Sequence, residues 1–235
     1  MANEVNREYK STLFTYMLSQ KEYALQVYNA LNNSNYDNPE DITITTLENA
    51  VFINRYNDVS YLFNSTLQLY EHQSTYNPNM PLRSLFYLAQ TYEKLITNKR
   101  KLFGSKLIPI PTPKCIVFYN GARETEDLIT MKLSDAFTNK KSVGDLELTV
   151  HMINVNYGHN KELLDKCEVL RGYSLYISKF HEYNEIETIS MTDAAVKALD
   201  YCIKCNKEGP TFSGRMPYYP RHHLLTKLES NVVAL

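Results

Sequence analysis

The sequence predicts a mixed α/β fold, a central mixed β-sheet flanked by helices, on three observations. Helical and strand-like periods follow one another as helix, strand, strand, strand, helix, strand, with further helices after. The chain has 235 residues, 43% of them hydrophobic, which supplies length and apolar material for a sizeable core. No self-similarity at a solenoid period breaks that order.

Each element has its own signal. Tyr9, Leu13, Tyr16, Met17, Ala24, Val27, Tyr28 and Leu31 recur at steps of three and four, and Asn32-Asn33 ends the helical run. A loop around Asp37 to Pro39 leads into ITITTLENAVFI, which is β-branched and strand-like. NDVSYLF and LQLYEHQS read as two strands joined at Asn64-Ser65, a hairpin turn. A helix starts at Pro81, a residue favoured at a first helical position. Its expected buried stripe is Leu82, Leu85, Phe86, Ala89 and Ile96, with Arg83, Tyr87, Gln90 and Lys94 on another face. IPIPTP is extended, since residues before proline avoid the helical region. KCIVFYNG and LELTVHMINVN are expected strands, and helices are expected over about 161–183 and 192–203. NKEGPTFSGRMPYYPRHH has no apolar period, so the end of the chain is expected to be loosely ordered.

Composition excludes several classes. No apolar run is long enough for a membrane helix, and MANEVNREYK lacks the apolar core of a signal peptide. Four cysteines are too sparse for a disulfide framework, so the expected location is a reduced cytoplasm. A net charge of −1 argues against a bulk polycation. The charge is unevenly spread, however. Residues 76–115 hold seven basic residues against one acidic, whereas 1–75 hold four against nine.

The hairpin carries the chemistry. A loop symmetric about Asn64-Ser65, of two or four residues, sets Asp58 directly opposite Glu71. Cβ atoms of opposed residues lie about 4.5–5.5 Å apart, where like charges destabilise. A divalent cation binding both carboxylates removes that cost, and Mg²⁺ is commonly held by one or two carboxylates plus phosphate and water. Gln73 leaves the same strand face two residues on, whereas His72 points to the opposite one. The alternative is a solvent-facing hairpin with two ordinary surface acids. The apolar neighbours Val59, Tyr61, Leu62, Phe63, Leu67, Leu69 and Tyr70 weigh against it, because acids in a buried sheet need partners.

The stretch NDVSYLFNSTLQLYEHQSTYNPNMPLRSLFYLAQTYEKLI resembles the PD-(D/E)XK nuclease family transposases, the Rpn-type recombination-promoting nucleases. ITTLENAVF, GSKLIPIPTPKCIVFYNG and INVNYGHNKELLDKCEVLRGYSLYISKFHEY extend the resemblance over roughly residues 5–203, with EHQSTYNPNMPLR its most specific part. The resemblance implies a restriction-endonuclease-like core over 1–158, a C-terminal helical region over 159–203 and an atypical Pro/Gly-rich tail over 204–235. It also implies Mg²⁺-dependent (or Mn²⁺-dependent) endonucleolytic cleavage of DNA in a recombination or mobile-element setting. Asp58 and Glu71 match the motif acids that hold the metal. Gln73 stands where many nucleases of the superfamily have Lys, as is normal in this family. Ser11 replaces the acidic residue usual in the first helix, and a Pro/Gly-rich end replaces the family's charged helix after about Cys202. These departures favour the alternative, a catalytically inactive nuclease-fold remnant acting at most as a DNA-binding or structural protein, its tail the product of a frameshift or gene decay.

Arg83, Lys94, Lys99, Arg100, Lys101 and Lys106 are the expected phosphate contacts, with Lys114 beside them. The expected partner is DNA, with no membrane association and a homodimer left open. Cys202 and Cys205 with His222-His223 do not have a zinc-finger spacing. GxSxG and GxxxxGK[ST] motifs do not occur.

Overall fold

A computed structural model describes residues 13–46, 58–139, 143–186 and 188–208. Ser11, residues 47–53 of the first expected strand, His222, His223 and the tail beyond 208 lie outside the described residues. The chain divides into two compact units, one of residues 40–154 and the other of residues 1–39 with 155–235. The boundary expected at 158 lies a few residues from this division, but the first helices group with the C-terminal ones.

The unit of residues 40–154 is a six-stranded mixed sheet in the order β1-β2-β3-β4-β6-β5. Its strands are β1 (Thr43–Ile44), β2 (Val59–Phe63), β3 (Thr66–Gln73), β4 (Thr112–Tyr119), β5 (Leu128–Lys132) and β6 (Thr149–Asn154). β1, β2 and β3 pair antiparallel, β4 runs parallel to β3, β6 parallel to β4, and β5 antiparallel to β6. Helix α3 (Met80–Leu95) carries the chain from the end of β3 back to the start of β4. A parallel neighbour requires such a crossover.

Turn chemistry sets the β2–β3 register. Asn64 and Ser65 have φ of 47° and 57°, so the loop is a two-residue turn of the type whose twist matches its strands. Phe63 then pairs with Thr66 and Val59 with Tyr70. Ser65 pays the steric cost of a Cβ in the left-handed region, which Gly does not. Ser65→Gly is expected to stabilise the fold by up to about 1 kcal/mol, read as a higher urea midpoint at unchanged slope.

Alternation gives the sheet two distinct faces. Leu67, Leu69, Cys115, Val117, Tyr119, Val150 and Met152 pack with Met80, Tyr87 and Leu88 of α3. The opposite face carries an aromatic row across three strands. Tyr61 and Tyr70 meet edge-on at 5.3 Å and share a 2.9 Å hydroxyl bond, and Tyr70 meets Phe118 edge-on at 5.4 Å.

Helix α3 is turned relative to expectation. Its buried positions are Met80, Pro81, Ser84, Tyr87, Leu88 and Thr91, whereas Leu82 and Phe86 of the expected core stripe are exposed. The polar positions can be buried because each has a partner. Thr91 Oγ1 donates to the Tyr87 carbonyl at 2.8 Å, Ser84 bonds the Cys115 thiol, and Tyr87 accepts from Arg83.

The other unit is helical: α1 (residues 13–18), α2 (Lys21–Asn32), α4 (Lys161–Lys166), α5 (Glu168–Asn184) and α6 (Met191–Glu208). Its core includes Phe14, Met17, Val27, Leu170, Tyr173, Phe180, Ala195 and Leu199. The single helix expected over 161–183 is broken at Cys167, whose backbone is extended (φ −130°, ψ 97°) and whose carbonyl accepts the Arg171 N–H. No Gly or Pro marks that break. α6 extends to Glu208, so the first residues assigned to the tail are helical. Cys202 is buried there and its thiol is pushed up to about 12 by burial. Among the described residues, no helix is long and apolar enough to cross a membrane.

Candidate active site

The hairpin register places the two acids as the turn symmetry requires. One step beyond the Val59–Tyr70 pair, Asp58 stands opposite Glu71. Each carboxylate is held by the other strand's backbone. The Asp58 N–H donates to Glu71 Oε1 at 3.2 Å, and the His72 N–H donates to Asp58 Oδ2 at 2.6 Å. Asp58 thus ends the β2 ladder with its side chain in place of a backbone acceptor.

Glu71 is 2% exposed and sits on the face covered by α3. There Arg83 Nη2 reaches Glu71 Oε2 at 3.0 Å and donates to the Tyr87 hydroxyl at 3.2 Å. Arg83 Nη1 lies 3.3 Å from Met80 Sδ. Arg83 and Tyr87 are one helical turn apart, so both reach the same point on the sheet.

Electrostatics mark this point. Burial, and then the Asp58 carboxylate, push the Glu71 carboxyl well above the usual range, against the opposing pull of Arg83 and the Asp58 N–H. Burial works against the Arg83 charge, but Glu71 beside it leaves its pKa raised on balance. The Tyr87 phenol is raised by burial and by Glu71. Cys115, on the same face, is buried, and that burial pushes its thiol up to about 12, the environment of a packed thiol.

Gln73 is half-buried at the end of β3, on the Glu71 face by strand alternation. Its carbonyl accepts the Asn120 N–H at 3.0 Å, which ties the ends of β3 and β4 together. Gly121 follows because the backbones pass so closely: a Cβ there would lie 2.4 Å from the Ser74 carbonyl oxygen. His72 is buried on the opposite face.

Among the described residues, no group of three or more His, Cys, Asp and Glu assembles as a metal site. Asp58 and Glu71 face each other across the hairpin, and Gln73 falls on the Glu71 face by strand alternation. That all-oxygen set matches what Mg²⁺ takes from protein when water and phosphate supply the rest.

The basic residues divide into two places. Arg83 is on Glu71. Lys94, Lys99, Arg100, Lys101 and Lys106 are exposed at the far end of α3 and in the loop after it. Arg83 and Lys94 are eleven positions apart on α3, so about 16 Å of helix separates them. Lys99 is also paired with Glu93. Sequence reasoning missed the Arg83–Glu71 pair because it grouped Arg83 with the surface cations. The available signal was Arg83 and Tyr87 sharing a stripe on the helix that follows the hairpin. No protein-family model matches the chain, and no curated protein or solved structure does either.

Proposed function

We propose that the chain is a Mg²⁺-dependent DNA endonuclease built on a restriction-endonuclease-like core. The observation that carries this reading is the buried Glu71 carboxylate opposite Asp58 on the paired strand, with Arg83 as its counterion. A buried acid raised by burial and by a second acid is a functional-site signature. The three antiparallel strands, the crossover helix and the parallel fourth strand are consistent with the proposed core.

Asp58 and Glu71 would hold the cation, which supplies polarisation of the scissile phosphate and a lowered pKa for the attacking water. Gln73, at the open end of β3, would orient that water or a phosphate oxygen through its amide. Arg83 compensates the Glu71 charge and keeps the carboxylate aimed. Lys94, Lys99, Arg100, Lys101 and Lys106 would meet the duplex backbone away from the cut.

Nicking of supercoiled plasmid in Mg²⁺ or Mn²⁺ is the test. Wild-type protein is expected to nick, and Asp58→Ala and Glu71→Ala are each expected to lose at least 100-fold. Cleavage unchanged in either variant would remove that residue from the site. The second reading, a nuclease fold without chemistry, draws on both Glu71 oxygens being engaged already. It predicts no thermal stabilisation by Mg²⁺, whereas a cation bound at 100 times its Kd adds about 2.7 kcal/mol.

A further inference from the structure

We infer that the loop between α3 and β4 is a nucleic-acid wedge in which Phe103 and Leu107 enter between bases while Arg100, Lys101 and Lys106 hold phosphates. This rests on DNA being the substrate and adds how the duplex is gripped.

The loop is built rather than slack. Residues Lys99–Phe103 form a short 3₁₀ turn, with the Asn98 side chain accepting the Arg100 N–H at 3.1 Å and the Gly104 N–H donating to the Lys101 carbonyl at 3.1 Å. Tyr92 donates its hydroxyl to the Pro111 carbonyl at 2.7 Å, and the Thr112 N–H donates to the Ser65 carbonyl at 3.1 Å. Both ends of the loop are therefore pinned.

On this loop large apolar side chains are exposed. Phe103 is 92% and Leu107 95% exposed, with Leu102 and Ile110 more than half exposed. Scattered exposed leucines need no explanation, but two almost bare side chains four residues apart in a loop pinned at both ends call for one. Cations interleave with them: Arg100 and Lys101 before, Lys106 between. The nearby acid, Glu93, is engaged by Lys99, so it does not neutralise these three.

A partner for this surface must be anionic outside and apolar within. Stacked bases beneath a phosphate skin meet both requirements. A second copy of the chain would bring like charge to like charge. An anionic bilayer shares the chemistry and is an outcome of the test. Placement favours the duplex. Thr112 pairs with Thr66 at the turn end of β3, and Glu71 lies five residues along that strand, about 16 Å away. The loop therefore returns to the strand that carries Glu71, within the same compact unit as the proposed site. Apolar wedges between base steps unstack and kink a duplex.

The test measures binding of the full chain in EDTA to a fluorescent duplex of about 20 base pairs carrying 2-aminopurine, across a salt series. Wild-type binding is expected to raise 2-aminopurine fluorescence. Phe103→Ala/Leu107→Ala is expected to weaken binding about 10-fold, to abolish the fluorescence rise and to leave the salt slope unchanged. Arg100→Ala/Lys101→Ala/Lys106→Ala is expected to flatten the salt slope by nearly 3. All these side chains are exposed, and unchanged circular dichroism confirms folding. Wild-type affinity and fluorescence in the apolar double variant would overturn the wedge. Phe103-dependent binding to phosphatidylserine vesicles without DNA binding would overturn it too. Binding by the wedge without cleavage in Mg²⁺ counts against the nuclease and not against this surface. Cleavage with unaltered binding in the double variant counts the other way.

Discussion

Arg83→Met is expected to cost about 3–5 kcal/mol of folding stability at pH 8, because it leaves a buried carboxylate without its cation. Glu71 is 2% exposed and Arg83 meets it at 3.0 Å. Burial and Asp58 already raise the Glu71 pKa, and Arg83 opposes that rise. A carboxyl raised in the folded state contributes stability below its unfolded pKa of about 4.3 and loses it as pH climbs through the folded value. Without Arg83 the folded value climbs further and the loss at high pH deepens. The cost of Arg83→Met is therefore largest at pH 8 and shrinks toward pH 4, as Glu71 takes up its proton in both states. Glu71→Gln in the same chain should restore most of the stability at pH 8 and flatten the pH dependence. Urea unfolding of the four proteins of this cycle at pH 4 and pH 8 checks it. A cost independent of pH would assign Arg83 a packing role instead.

Phe118→Ala is expected to lose about 3–5 kcal/mol, the usual cost of emptying a buried aromatic site. Phe118 is fully buried on β4, where its ring meets Tyr70 edge-on at 5.4 Å, and Tyr70 in turn meets Tyr61. Edge-to-face pairs add about 0.5–1.5 kcal/mol beyond the area they bury. The row supports β2, β3 and β4 from the side opposite Glu71, so its loss loosens the hairpin that holds the acids. A fall of less than about 2 kcal/mol in the urea-derived stability would show that the cavity collapses and that this face is not closely packed.

Much of the hairpin was legible from residue order alone. Asn64 tolerates left-handed backbone, and the symmetry of the Asn64-Ser65 turn sets Asp58 against Glu71 whatever the rest of the chain does. His72 falls on the far face for the same reason. The face of α3 was not legible. Its period fits two stripes, and hydrophobicity selects the wrong one, because the sheet beneath presents Glu71 and Cys115 as well as aliphatic residues. Strand β5 was missed since Leu128, Thr130 and Lys132 are exposed at an edge, where alternation is weak. The break at Cys167 has no Gly or Pro to announce it.

Residue order by itself determined a mixed α/β chain, the hairpin and its register, and the pairing of two acids across it. Each of these follows from contacts between residues close along the chain. Tertiary structure alone decided that Glu71 is buried and that Arg83 is its counterion instead of a surface cation. Those outcomes depend on which helix face packs on the sheet. That choice is made by the sum of buried partners across the interface, which local periodicity does not contain.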